Sequence, residues 1–412
     1  MKFEVLKRSH LMRNILIGVV VVLVLSAIVL TFTKAKYKIT ESIPLVNGTI
    51  NYELSDFNLI GAYIQEGEEY KQTNEIPTSG YEFNVEKSYC TVNDENINAT
   101  LNYDMATQTL SVVPLNTKGT KCYLYFDEKA SGGDYILAGE NPPTNSTTDW
   151  TGGTTYYYTG NPNNWVQFGT NSSGQSLYWR IIRINGDGSI RMIYQGTGFN
   201  TTGTSTQIQT SAFNSSYRDN MYVGYMYTSG QRQGHDDPST IKGILDTWYQ
   251  NNLADEADYI DGNAGFCGDR TTYSGSGTGT TQTYYAAYNR LINGNNPSLQ
   301  CDSRDVYTTT DSSSGNKSLT YPIGLISADE AALAGITWSN PQSSYLNTGQ
   351  TYWTMSPSNY GSGADMFFVY SDGNLSYYRV YGTYGVRPVI NLRSDIPLTG
   401  SGTTSDPFRL VL

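Results

Sequence analysis

LYWRIIRINGDGSIRMIY, residues 177–194, sets two runs of β-branched, aromatic and aliphatic residues around Asn185-Gly186-Asp187-Gly188. Such runs favour extended backbone, and glycines in the turn can take the positive φ that a tight connection needs, so the stretch predicts a β-hairpin. Downstream, DPSTIKGILDTWYQNNL offers Asp237 as a cap and Pro238 as a first helical residue. Ile241, Ile244, Leu245 and Trp248 then recur at helical spacing, which predicts an amphipathic helix with a core-facing stripe. A second, short helix is expected at SADEAALAG, where Ser327 and Glu330 have capping-box spacing and Gly335 can end it. Between the two helices, Phe266 to Ser318 is rich in Gly, Ser and Thr and carries two cysteines; so long a loop is usually tied down or functional.

The chain then reads YWTMSPSNYGSGADMFFVYSDGNLSYYRVYGTYGVRPVINL from Tyr352 to Leu392: a strand, a polar loop, a hairpin around Ser371-Asp372-Gly373-Asn374, a second polar loop and a closing strand. Two helices followed by terminal strands and irregular loops resemble the order of C-type-lectin-like domains. Trp353 to Pro357 (W-x-x-S-P) and Gly385 to Leu392 (GVRPVINL) are similar to the branch that holds formylglycine-generating-type domains and the variable proteins of diversity-generating retroelements. The hairpin at 177–194 and YPIGLISADE also resemble membrane-anchored surface proteins of Gram-positive bacteria. The resemblance covers 167–412 and implies a ligand-binding domain whose contact surface lies in the terminal stretch.

That stretch presents Asn359, Tyr360, Asp365, Tyr370, Ser371, Asn374, Ser376, Tyr377, Tyr378, Arg379, Tyr381, Thr383 and Tyr384. Tyrosine gives a large amphipathic face at low rotamer cost, and Ser, Asn and Gly add adaptable hydrogen bonds, the composition of a paratope. These thirteen residues are the candidate ligand-binding set. Trp353, Val386, Val389 and Leu392 are expected to be scaffold. No catalytic residues, metal ligands or cofactor are expected. The related formylglycine-generating enzymes depend on active-site cysteines, and neither Cys267 nor Cys301 lies in the terminal loops. The E-P-N, Q-P-D and W-N-D triplets of calcium-dependent lectins are missing, and the acidic run Asp255, Glu256, Asp258, Asp261 lacks the ligand spacing of an EF-hand loop. GSGTGT at Gly275 to Thr280 has neither the lysine nor the preceding strand of a phosphate loop.

Upstream, YEFNV, TLNYD, TLSVV and CYLYF alternate with period two between polar turns, so 38–128 reads as an all-β sandwich serving as a stalk. The segment 129–166 is rich in Gly, Thr, Asn and Pro and reads as a linker or surface loop. Cys90, Cys122, Cys267 and Cys301 form no C-x-x-C pair. Joining Cys90 to Cys122 and Cys267 to Cys301 keeps each bridge inside one region, and exported thiols tend to oxidise.

From Asn14 to Phe32 the chain is apolar and uncharged, long enough at about 1.5 Å per residue to cross a hydrocarbon core of roughly 30 Å. Lys2, Lys7, Arg8 and Arg13 precede it against Glu4, so residues 1–13 are expected in the cytoplasm and everything after 32 outside the cell. The expected order is thus an N-terminal transmembrane helix, an all-β sandwich, and an α+β C-type-lectin-like domain with two helices. Composition fits an exported, β-rich chain: 41 Gly and 35 Tyr accompany only 15% charged residues. With 26 Lys and Arg against 37 Asp and Glu, no basic stripe exists for nucleic acid. The function expected is a cell-surface, non-enzymatic protein, anchored in the lipid bilayer through 14–32, that binds an extracellular protein or glycan. The alternative is an envelope assembly component, pilus-like, whose terminal face docks a neighbouring subunit.

Overall fold

The computed structural model describes residues 58–411, apart from short breaks at 68, 74–75, 78–80, 105–108, 114–119, 129–130, 313–314 and 340–342. The chain divides into two compact units, one ending at Glu128 and the other holding the rest.

In the first unit, five strands form a mixed sheet in the order Glu69–Thr73, Asn58–Glu66, Lys121–Glu128, Tyr81–Val92, Glu95–Ile97. Asn58–Glu66 runs parallel to Lys121–Glu128, and the other pairs are antiparallel. A separate hairpin, Thr100–Asp104 with Thr109–Val113, contributes Leu101, Tyr103 and Leu110 to the core. The period-two pattern does the sorting. Along Lys121–Glu128, Cys122, Leu124 and Phe126 are buried, while Tyr123 and Tyr125 turn the other way and stack on Tyr89 and Tyr63 at 4.8 Å each. Cys90 and Cys122 are cross-strand partners and are bonded to each other.

The second unit is built on the hairpin at 177–194. Its strands, Ser176–Ile184 and Ile190–Gly196, pair antiparallel around the Asn185–Gly188 turn, where Gly188 has φ 81°. Gly186 serves differently: a Cβ there would lie 2.5 Å from Gly153 Cα, so two chain segments meet glycine to glycine. The closing strand Val389–Leu392 pairs with Ile190–Gly196, with Ile190 opposite Leu392. This sheet therefore joins the hairpin to Val389–Leu392, far along the chain. A second sheet centres on Tyr352–Tyr360, flanked by Ala364–Val369, Tyr384–Val386 and Thr283–Tyr285. One continuous core, including Trp179, Leu245, Trp353 and Val389, fills the unit. Cys267 is bonded to Cys301, which ties the first part of the long loop.

Several expectations are corrected. The fold class does not stand as read. Among the described residues strands make up 40% and helices 15%, and no helix is long and apolar enough to cross a membrane. The expected spanning segment, 14–32, lies outside the described residues. The all-β part fits. The two expected helices form as Thr240–Asn252 and Ala328–Leu333, but they are accompanied by helical turns at Gly132–Leu137 and over Ala286–Tyr288 into Asn289–Asn293, so the count of two is corrected. Helix Thr240–Asn252 is capped by the Ser239 hydroxyl, not Asp237; Asp237 and Pro238 instead pair in extended form with Met226 and Tyr227. Pro238 has no N–H to lose in either setting, so sequence alone does not separate the two.

The segment 129–166 is no linker. It supplies the helix Gly132–Leu137 and the strands Asn145–Thr148, Thr154–Tyr157 and Trp165–Thr170, the last two pairing with Ser176–Ile184. The polar composition persuades in the wrong direction because glycines here permit close approach: a Cβ at Gly133 would meet Gly188 O at 2.6 Å.

Candidate binding face

The site grows from one hairpin. Ala364–Val369 and Leu375–Arg379 pair in strict register, Asp365 with Arg379, Met366 with Tyr378, Phe367 with Tyr377 and Phe368 with Ser376. Tyr370 N donates to Asn374 O at 2.8 Å, Gly373 takes φ 89°, and the Asp372 carboxylate accepts from Asn374 N at 2.9 Å, so the turn needs a glycine and a short acid. Because neighbouring strand residues point to opposite faces, Tyr377 and Tyr378 cannot share a surface.

On one face Tyr384 rests against Trp353 and Phe368, with ring centroids 4.7 Å from each, and Trp353 donates its Nε1 to Ser211 O at 2.9 Å. Onto this fixed aromatic floor pack Tyr378, 6.3 Å from Tyr384, and Tyr370, 6.1 Å from Phe368. Tyr381 stands 6.0 Å from Tyr378 and 5.0 Å, edge to face, from Tyr217. Tyr370, Tyr378 and Tyr381 remain 47%, 46% and 45% exposed. The Tyr381 hydroxyl's hydrogen bond to Tyr378, and the closeness of that ring, push the Tyr381 phenol above its ordinary value. The face offers ring surface and hydroxyls.

The opposite face carries a second aromatic group. Tyr377 lies 5.5 Å from Trp338 and 5.7 Å from Tyr288, which in turn stands 4.9 Å from Tyr284. Beside it Asp365 holds Arg379, whose Nη2 also donates to Ser362 Oγ at 2.8 Å, and Asn359 Nδ2 donates to Asp365 at 3.1 Å. Burial pushes the Asp365 carboxyl up while Arg379 pulls it down.

The thirteen candidates thus separate. Tyr370, Ser371, Tyr378, Tyr381 and Thr383 are exposed, and Tyr384 and Ser376 half-buried with them. Asn374 belongs to the turn. Asn359, Asp365 and Arg379 hold one another, and half-buried Tyr377 lies behind. Tyr360 is only 4% exposed and pairs with Ala364 and Thr283, so it is scaffold. Trp353, Val386, Val389 and Leu392 are fully buried. Sequence reading missed Tyr217, Trp338, Tyr284 and Tyr288, which lie far from the terminal stretch. The Ser/Asn/Tyr composition of SAFNSSYRDNMY, 211–222, was the one available signal for Tyr217.

Elsewhere, acids meet arginines. Glu330 lies 2.9 Å from Arg183 Nε and 2.5 Å from Arg191 Nε, the second contact not aligned as a hydrogen bond. Arg270 pairs with Asp305 at 2.8 Å, and Arg290 with Asp269 and Asp329 at 2.6 and 2.9 Å. Among the described residues no group of three or more His, Cys, Asp or Glu is placed to hold a metal ion. Compared with family models, curated proteins and solved structures, the chain matches none.

Proposed function

We propose that this is an exported binding protein that captures an extracellular protein or glycan on the face formed by Tyr217, Tyr370, Tyr378, Tyr381 and Tyr384. The observation that carries the reading is that three tyrosines stay nearly half exposed while their floor, Trp353 and Phe368, is locked in the core. Water-exposed rings held on a rigid base lose little freedom on binding, and clustered Tyr is where interface hot spots concentrate. The two disulfides suit an oxidising compartment. The resemblance to C-type-lectin-like variable proteins adds to the reading, since their ligand surface occupies the corresponding stretch. A binding role is favoured over catalysis because Glu330, Asp269, Asp305 and Asp329 are each engaged by arginine, which leaves them poorly suited to proton transfer.

Protein and glycan arrays probed with the full chain and with a Tyr378→Ala/Tyr381→Ala variant test it. A partner retained by the wild type and lost by the variant, at unchanged melting temperature, supports the reading; equal retention by both rejects it. Concentration-dependent self-association abolished by the same variant would instead favour envelope assembly.

A further inference from the structure

Four arginines are buried around the opening hairpin, and they are not treated alike. Arg183 and Arg191 contact Glu330, and Arg183 also lies 3.6 Å from Asp149. Arg387 has no carboxylate, but its guanidinium is enclosed by the carbonyls of Tyr194 and Leu346 and by Gln195 Oε1. Arg180 is the exception. It is only 4% exposed, has no acidic partner among the described residues, and donates through Nε to Asn164 Oδ1 at 2.5 Å and through Nη2 to Pro162 O at 2.9 Å. Among the described residues Nη1 has no acceptor, and it is not fully enclosed. The guanidinium lies between two rings, 4.3 Å from the centroid of Trp165 and 5.0 Å from that of Tyr345.

This group lines a cleft of about 300 Å³ whose other walls include Asn161, Thr201, Thr202, Ser343 and Tyr345. Three chain segments meet there and are tied together. Asn161 donates to Ser343 Oγ at 2.7 Å, Tyr345 N to Gly160 O at 2.6 Å, and Gly203 N to Thr348 O at 2.8 Å. Burial lowers Arg180 to about 10, with Arg387 adding repulsion, so the group stays charged at neutral pH. A buried cation without a counter-charge is costly, and an anion that completes its hydrogen bonds relieves that cost.

We propose that this cleft is a second ligand site, separate from the tyrosine face, that takes a hydroxyl-bearing carboxylate, the chemistry of an acidic sugar. The single guanidinium presents one positive charge, without a lysine or second free arginine in the walls, which suits a monoanionic carboxylate better than a doubly charged phosphate. The surrounding hydroxyls and amides both donate and accept, as sugar hydroxyls require. The volume, at the low end for small-molecule pockets, fits one sugar ring.

Calorimetric titration of the full chain with sodium glucuronate, glucose and inorganic phosphate tests the proposal. Glucuronate is expected to bind saturably, with glucose weaker by about tenfold or more, since a hydrogen bond to a charged group is worth at least that factor. Thr202→Trp, on the exposed rim, fills the cleft without touching the core and should abolish binding at unchanged melting temperature. Arg180→Lys keeps the charge but loses the planar fork and should weaken binding about tenfold or more. Tyr378→Ala/Tyr381→Ala should leave glucuronate binding intact, so the two sites fail independently. No saturable glucuronate binding, binding undisturbed by Thr202→Trp, or phosphate bound as tightly as glucuronate would each overturn the assignment.

Discussion

At the scale of single residues, neighbouring tyrosines in one stretch have opposite roles. Tyr360 is buried beneath the loop it borders, so Tyr360→Ala should behave like Trp353→Ala and cost about 3 to 5 kcal/mol, read as a fall in melting temperature. Tyr378→Ala and Tyr381→Ala should each shift stability by about 0.5 kcal/mol or less while weakening capture of an array-identified partner by roughly 1 kcal/mol or more. An unfolded Tyr381→Ala variant would place that ring in the core. Glu330 is a buried acid between two arginines. Burial alone would raise it, but Arg191, Arg183 and the Ser327 N–H hold it below its ordinary value of 4.5. Its folded value is the lower one, so its stabilisation is complete above about 4.5 and is lost as pH falls through the folded value. Glu330→Gln leaves Arg191 without a carboxylate and Arg183 with Asp149 alone, and should cost about 3 to 5 kcal/mol at neutral pH. Acid titration of the unfolding midpoint should be correspondingly flatter in that variant; an unchanged acid limb would remove Glu330 from the account.

At the scale of elements, the hairpin at 177–194 depends on two glycines for different reasons. Gly188 needs positive φ, and Gly186 needs contact with Gly153, so Gly188→Ala strains the turn while Gly186→Ala forces the segments apart. Both should destabilise by more than about 1 kcal/mol, measured by denaturant midpoint, and Gly186→Ala should not be rescued by d-alanine-like turn geometry because its fault is steric. The Cys90–Cys122 bridge closes a loop with separation 32 between paired strands. Replacing both cysteines by serine should cost the first unit about 3 kcal/mol and leave the melting of the second unchanged. The helix Ala328–Leu333 was legible because its signal is local: Ser327 Oγ accepts from Glu330 N and Glu330 returns the bond to Ser327 N. That the same carboxylate also neutralises Arg183 and Arg191, more than a hundred residues upstream, has no local signature.

At the scale of the whole molecule, the second unit begins at Lys129, well before residue 167, where sequence reading places the start of the terminal domain. The helix Gly132–Leu137, Tyr158 and Gly153 are packed into its core and first sheet. A fragment of residues 129–412 should therefore melt cooperatively, whereas 167–412 should fail to do so; cooperative melting of the shorter piece would return 129–166 to the status of a linker. By itself the sequence determined what short-range physics can express: the hairpin at 177–194, the period-two strands of the first unit, the capping box, the Asp372-Gly373 turn and the cysteine pairs, whose pairing follows from their falling within separate units. Only the tertiary structure decided which polar residues are inside. Arg180, Arg183 and Arg191 sit in strands buried on both faces, where periodicity cannot distinguish a paired cation from an unpaired one. It also decided which tyrosines stay exposed, since the floor beneath Tyr378 and Tyr384 is made by Trp353 and Phe368, and the flank of Tyr381 by Tyr217 from far upstream. Burial is a property of what returns through long connections to cover a residue, and no window of sequence around that residue contains it.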